Sequence, residues 1–484
     1  MVITSSEHTC KRSVPQACHE LDSKPNKINA NTAYDFSGKN LTPYGGLFPV
    51  ATMLEKLGFR EVVGETLTLS RRTRFMPGYE FLLAIVLSIY VGFFRLSHMR
   101  FVGKDPMLTG ILKVTHLPPQ STFWRFLASL HLGVAQQVLQ VQRKMRERVW
   151  AAANVRLNGV TLDTDTTVHT VYGKQMGARK SYNPKNKGKK SFQPILTFIA
   201  ETREYLWGEL RNGDRPDGKQ IARHLAGACA SLPACVKTIY ARADAGFYCW
   251  EAMEAYEKRK VQFIVVARKT SRLVQELEKA DWKPSRKTDA QQQCEFCYQP
   301  DGWAKSYRFV ALRYEKKEKT PELREQYQLF DTPQYIYRVF VTNMKNAIDV
   351  LVWFYNGRAG AENLIKEANN DAGLAAHPSG RWRTNCVHFQ LALVAYNLNC
   401  WLMLFNREEK AKVDDLQHTT LATARLRFLF LAARVWRHAG REGISYSDHY
   451  AEQGLFHRLI KRLRSIAFGS AGNFLPAVAT VLAS

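Results

Sequence analysis

The first 40 or so residues show no regular alternation of polar and apolar positions, and a helical pattern begins only at Gly46. Leu47, Val50, Met53, Leu54 and Leu57 recur at three- and four-residue spacing, which makes one face of a helix apolar. The run Phe81 to Phe94, between Glu80 and Arg95, is apolar over 14 residues. That is short of the roughly 20 needed to cross a bilayer, so it predicts a buried helix. In LPPQSTFWRFLASL, Pro118 and Pro119 stop the preceding element, and Ser121 is placed to cap a helix with an apolar stripe from Phe123 to Leu130. With Arg125 exposed, this segment suits a helix-turn-helix or an ordinary helical hairpin equally. A long helix follows from about Leu132 to Val149, with Arg143, Lys144, Arg146 and Arg148 towards its end.

The period changes at Val155. VRLNGVTLDTDTTVHTVYG alternates apolar and polar positions and is rich in β-branched residues, the pattern of a strand. FQPILTFIAE and EYLWGELR continue it as a meander. DGKQIARHLAGACASL then predicts a helix, VKTIYARAD a short buried strand, WEAMEAYEKRK a helix and VQFIVVARK another buried strand. Strands alternating with helices make 155–269 an α/β domain. Residues 270–345, rich in Lys, Gln and aromatics, read as a β-rich insertion rather than a continuation of that sheet. From 346 to 410 the pattern is helical again, and 411–484 predicts a basic helical tail carrying Arg425, Arg427, Arg434, Arg437, Arg441, Arg458, Lys461, Arg462 and Arg464. The expected organisation is an arm (1–40), a helical domain (41–154), an α/β core interrupted by the insertion, and the tail.

Composition narrows the partners. The 69 Lys and Arg exceed the 43 Asp and Glu by 26 charges, which favours a polyanion such as nucleic acid. At 45% apolar residues, global disorder is excluded. Nine scattered cysteines and an N-terminus without an apolar h-region predict a reducing, cytoplasmic setting. Two sets of residues suggest a metal site only weakly, because structural zinc wants four ligands. They are the lone Cys294–Cys297 pair and the cluster His8, Cys10, Cys18 and His19.

Three acids stand out by position. Asp165 ends a predicted strand and precedes two threonines. Asp244 ends another and precedes Ala-Gly-Phe. Glu362 shares a helical face with Arg358 and Lys366. Active sites of α/β sheets lie beyond the carboxyl ends of the strands. Oxygen ligands suit Mg²⁺, and two such ions about 4 Å apart promote phosphodiester chemistry. Asp163, two residues before Asp165, falls on the same face and competes for its role. The stretch 171–190 holds seven basic residues and no acid, including Lys174, Arg179, Lys180, Lys185 and Lys187. Its glycines predict a mobile, phosphate-seeking loop. Each feature also has an ordinary reading: Asp244 as a helix cap, Glu362 and Lys366 as a surface pair, and the basic stretch as a solvated loop.

In order and spacing these motifs resemble the DDE transposases of bacterial insertion sequences. Tyr355, Arg358 and Glu362 match the Tyr-x2-Arg-x3-Glu part of a signature of the insertion-sequence 4 group, whose last position is Asn369 here instead of Lys. Asp-Thr-Thr at 165–167 and ARADAGFY at 241–248 resemble the first- and second-acid motifs. The four motifs, LDTDTTVHTVYGKQMGA with YNPKNKGKKSFQP, RADAGF, YNGRAGAENLIKE and AYNLNCWL, are together similar to the insertion-sequence 1380 family over about 155–440.

The resemblance implies an RNase H-like core. It implies Asp165, Asp244 and Glu362 as ligands of two Mg²⁺ ions, with Mn²⁺ able to substitute. Tyr355, Arg358 and, less directly, Lys366 would contact phosphate, and Trp303 with Tyr307 would stack on a displaced base. The partners would be double-stranded DNA at terminal inverted repeats and at the target, bound by a homodimer that pairs two ends. The helical N-terminal region and the basic tail would grip the ends.

Overall fold

The computed structural model describes residues 28–69, 75–285, 292–315, 335–407, 419–468 and 474–475. The chain falls into two units, Met1–Lys39 and Asn40–Ser484. In the first unit, residues 28–39 are exposed and carry no helix or strand.

The second unit is built on a nine-stranded mixed sheet. Numbered along the chain, its strands are β1 (Gly159–Thr166), β2 (Ile195–Ile199), β3 (Tyr205–Glu209), β4 (Thr238–Ala243), β5 (Gln262–Val266), β6 (Lys283–Pro284), β7 (Gln292–Tyr298), β8 (Tyr307–Glu315) and β9 (Tyr335–Thr342). Across the sheet they stand in the order β6-β7-β8-β9-β5-β4-β1-β2-β3. β1, β4 and β5 run parallel, while β2 and β3 on one side and β9 to β6 on the other pair antiparallel. Helices Gly218–Ala230 and Trp250–Lys258 make the crossovers that parallel strands require.

The 270–345 segment therefore corrects the expectation of a separate insertion. β9 pairs with β5 through Phe340↔Val266, Val341↔Val265 and Thr342↔Ile264, so the strands extend the central sheet. The physical reason is that β5 would otherwise be an unpaired edge in the middle of the core.

The opposite edge, β3, is closed by a side chain. Asn397 accepts from the Tyr205 N–H (2.9 Å) and donates to the Tyr205 carbonyl (2.9 Å), standing in for a neighbouring strand. Asn397 lies on Trp382–Asn406, the one described helix long and apolar enough to cross a membrane, and 94% of its most apolar window is buried within the protein. Two more of its polar side chains are satisfied internally: Gln390 donates to the Gly208 carbonyl and Asn385 to the Ser379 carbonyl. It is a core helix.

The predicted helices of the N-terminal region form, notably Gly78–Tyr90, which is buried from Glu80 onward, and Gly133–Ala152. The helix at 120–129 starts at Gln120 after Pro119. Ser121 lies inside it and caps nothing, because Pro119 already fixes the entry. These helices share one apolar core with the sheet and with Trp382–Asn406. A fully buried carboxylate ties the three together. Glu204 accepts from Trp150 Nε1 (2.8 Å), Trp401 Nε1 (2.5 Å) and Thr202 Oγ1 (2.7 Å), and lies 3.5 Å from Arg146 Nε.

The C-terminal region corrects a second expectation. Among the described residues it is helical only at 421–429 and at Gln453–Arg464. Between them lies a hairpin of β10 (Ala433–His438) and β11 (Arg441–Tyr446). Ala433 with Val435, and Ile444 with Tyr446, supply a two-residue apolar period that the surrounding arginines hide. Several of those arginines are structural. Arg425 donates to the Ile89, Tyr90 and Asp371 carbonyls, and Arg462 to the Phe405 and Arg407 carbonyls, satisfying the ends of buried helices.

Candidate active site

The register of β1 against β4 creates the site. In this parallel pair Asp163 stands opposite Arg242. Continuing by two residues on each strand, at the carboxyl end, puts Asp165 beside Asp244 on the same face. Helix Ala359–Asn370 packs over β1 and brings Glu362, in its first turn, to the same place.

Arg358 sits among the three acids. Its Nη2 lies 2.7 Å from Asp165 Oδ2, and its Nη1 lies 3.5 Å from Glu362 Oε1. The guanidinium is buried, yet Nε and Nη2 make no well-aligned hydrogen bond, since the contact to Asp165 is ionic but off the bonding direction. Burial alone would lower its pKa. Asp165, Tyr355, Asp244 and Asp163 raise it instead. Asp165 is pushed up to about 6, first by burial, with Asp244 and Glu362 adding to the shift and Arg358 opposing it. Asp165 Oδ1 also accepts from the Thr166 N–H at 2.7 Å. Asp244 is half-buried and accepts from the Gly246 N–H at 2.9 Å, so it does cap a turn, as its ordinary reading holds, while still facing Asp165. Tyr355 is buried next to Arg358, and burial raises its phenol.

Asp163 is not interchangeable with Asp165. Both its oxygens are taken by Arg242, from Nε at 2.7 Å and Nη2 at 2.8 Å. Arg242 Nη1 donates at 2.7 Å to the Phe354 carbonyl, four residues before Arg358. A Cβ at Gly357 would lie 2.3 Å from that nitrogen, so the close approach needs glycine there. Arg242 was not picked out from sequence. Its signal was the repeated offset: an acid and an arginine each two residues before a candidate acid, on neighbouring strands.

The Asn369 departure from the signature also has a structural account. Asn369 Oδ1 lies 2.8 Å from His169 Nε2, and Asn369 Nδ2 donates to Thr167 Oγ1 at 3.1 Å. His169 Nδ1 in turn lies 3.2 Å from His377 Nε2. Burial lowers His169 to about 4 and His377 to about 2, so both are neutral. A lysine at 369 would put a charge into this buried pair. A cavity of about 460 Å³ opens beside it, lined in part by Phe94, Arg95, Gln120, Gln175 and His377.

The other predicted residues divide. Lys366 is exposed one turn beyond Glu362. Lys174, Lys180, Lys185 and Lys187 are exposed on the basic stretch, and Arg179 is paired with Asp214 at 2.5 Å. That stretch is anchored, against the expectation of a mobile loop. Asn183 and Asn186 both donate to Thr170 Oγ1, two short strands pair with residues 190–192, and the Met176 N–H donates to the Gly380 carbonyl.

Trp303 and Tyr307 are buried against Tyr248 and Trp250, so they fill the core and offer no face to a base. Cys294 is buried and Cys297 exposed on β7. Three residues apart on a strand they point to opposite faces and cannot share a metal. His8, Cys10, Cys18 and His19 lie outside the described residues. Among the described residues no three acids, histidines or cysteines are gathered as a ready metal cage.

A converging set of carboxylates around an arginine, at the carboxyl ends of parallel strands, suits transfer chemistry at a phosphate ester. The chain belongs to the family of transposase DDE domain group 1, whose profile matches residues 24–467. No curated protein matches it. Among solved structures it is similar to a piggyBac transposase synaptic complex with hairpin DNA, at 9% identity over 89% of this chain and 88% of that one (TM-score 0.41). It is also similar to a Mos1 transposase paired-end complex with the left transposon end, at 11% identity over 40% of this chain and 60% of that one (TM-score 0.16).

Proposed function

We propose that the protein is a DNA transposase that cuts the terminal inverted repeats of an insertion sequence and joins the freed 3′-hydroxyl ends to target DNA. The observation that carries this reading is the meeting of Asp165, Asp244 and Glu362 around a buried arginine. The order β3-β2-β1-β4-β5, with only β2 antiparallel to β1 and β3 antiparallel to β2, supports an RNase H-like core. The finer resemblance to the insertion-sequence 1380 family belongs to the same proposal, as do a dimer pairing two ends and a bacterial cytoplasmic setting.

The donor set fits a hard divalent cation. All three groups are carboxylates, and positive charge offsets both the burial that chiefly raises Asp165 and the repulsion from Asp244 and Glu362 that adds to it. Bound Mg²⁺ or Mn²⁺ would supply Lewis-acid activation of water and of the attacking hydroxyl. The chain's own groups would do the rest. Asp165, Asp244 and Glu362 would hold the ions. Arg358, with donors left unaligned by Asp165, would take a phosphate oxygen, and Tyr355 would back it. Lys366 and the exposed lysines of 174–187 would hold flanking phosphates.

The test is nicking of a labelled duplex carrying the element's own end. The wild type is expected to nick at the end with Mg²⁺ and not with EDTA, and Glu362→Gln to bind the duplex but leave it intact. Nicking without transfer to a plasmid would identify a nuclease that cuts without joining. Binding without nicking in Mg²⁺ or Mn²⁺, with paired ends supplied, would mean a DNA-binding protein derived from a transposase.

A further inference from the structure

The β10–β11 hairpin has two unlike faces. Residues opposite one another across an antiparallel pair share a face, and the faces alternate along each strand. One face carries Ala433, Val435, Ile444 and Tyr446, which turn inward. Val435 and Ile444 pack against the main core, and Tyr446 stacks edge-on to Phe456 with ring centroids 5.0 Å apart. The other face carries Arg434, Trp436, His438, Arg441, Gly443 and Ser445. Leu41, paired with Arg434, extends it.

This outer face has no carboxylate. The hairpin's one acid, Glu442, lies on the inner-face positions and is paired with Arg437 at 2.7 Å. Among the described residues, neither Arg434 nor Arg441 has an acid within ion-pair distance, in contrast to Arg427, which is held by Glu452. The two-residue turn Ala439–Gly440 has positive φ at both positions (47° and 75°), the geometry of a tight type I′ hairpin. The indole of Trp436 is set by the backbone: a Cβ at Gly443 would lie 2.1 Å from the ring, so it rests across bare glycine and is 39% exposed.

We propose that this outer face is a DNA-binding ribbon, formed by residues none of which belongs to the acid site. Beyond Arg434, where Leu41–Thr42 pairs alongside as a third strand, the hairpin is a two-stranded ribbon, which fits the width of the major groove. Arg434 and Arg441 contact the phosphates on either side, and Trp436 lies against a base edge or sugar. Charge complementarity selects this occupant, since the face is cationic and aromatic in a chain of net charge +26. The proposal rests on the DNA transposase reading and names where, beyond the cleavage site, the duplex is held.

The test uses the full chain and two duplexes of equal length, one carrying the element's end and one unrelated, with affinity measured by fluorescence anisotropy at several salt concentrations. Each phosphate contact contributes about 0.9 to the slope of log affinity against log salt. The Arg434→Gln/Arg441→Gln variant should therefore show a slope shallower by about 1.8 on both duplexes, with affinity roughly tenfold lower at low salt. Arg434→Lys/Arg441→Lys should keep the slope, and Trp436→Ala should weaken binding without changing it. Melting temperatures equal to wild type confirm that each variant is folded. Unchanged affinity and slope in the folded glutamine variant would overturn the proposal. So would normal DNA binding combined with a change in oligomeric state, which would mean the face covers a second copy of the chain. A wild type that binds neither duplex would remove the transposase reading itself, and the ribbon with it.

Discussion

Replacing Asp165 with asparagine is expected to lower end cleavage about a thousandfold or more and, at the same time, to stabilise the metal-free protein at neutral pH. The first effect follows from losing a charged oxygen ligand where charge stabilisation is worth several kcal/mol, about 4 kcal/mol being three decades of rate. The second follows from the carboxyl's environment. In the folded chain Asp165 titrates at about 6, chiefly because it is buried. Unfolded, it titrates near 3.9. A group whose folded pKa is raised holds its proton more tightly when folded, so folding favours the neutral form. The destabilisation therefore sets in as pH rises past about 4 and is complete above about 6. Two units correspond to roughly 2–3 kcal/mol, a figure already net of the opposing attraction of Arg358. Urea denaturation in EDTA at pH 7.5 should show the variant more stable than wild type, and the difference should shrink towards pH 4. A variant less stable than wild type at pH 7.5 would contradict this account of the site.

Arg242→Met is expected to cost about 3–5 kcal/mol, the range for removing one partner of a buried ion pair. Asp163, 2% exposed, would be left without the guanidinium that fills both its oxygens, and the Phe354 carbonyl would lose its donor. The double variant Asp163→Leu/Arg242→Met should recover most of the stability, because replacing a whole buried pair with apolar groups is often neutral. A folded Arg242→Lys should separate stability from positioning. One amine cannot hold both Asp163 and Phe354, so nicking at saturating DNA should fall while DNA affinity stays the same. Loss of less than about 1 kcal/mol in the single variant would show the pair to be incidental.

Much of the core was legible in the sequence because its signals are local. β-branched alternation marks β1, helical periods mark the crossovers, two of the acids stand at predicted strand ends and the third stands on a predicted helix face. What was missed depended on partners distant in sequence. The continuation of the sheet through β9 is decided by an edge on β5 that no local pattern displays. The C-terminal hairpin hides in a sequence that predicts helix, because its two inward apolar residues per strand sit in a stretch dense with arginines on both sides. Trp303 was offered to DNA because aromatic residues look alike in sequence whether they face a base or, as here, three other rings. In the sequence Asp163 competes with Asp165, the preferred candidate, and only register separates them by supplying Arg242 to one and Arg358 to the other.

The closure of β3 by Asn397 bears on when the molecule becomes competent. The three acids all lie before residue 363, yet Asn397 binds Tyr205 across 192 positions and Gln142 across 255. Trp401 reaches back 197 positions to Glu204. During synthesis, the segments that carry the acids must wait for a helix made near the end before the edge of their sheet is covered. Contacts so distant also make folding slow. A polypeptide interrupted after Glu362 would possess all three acids and lack the element that holds their scaffold shut, so the architecture itself withholds a finished site from an unfinished chain.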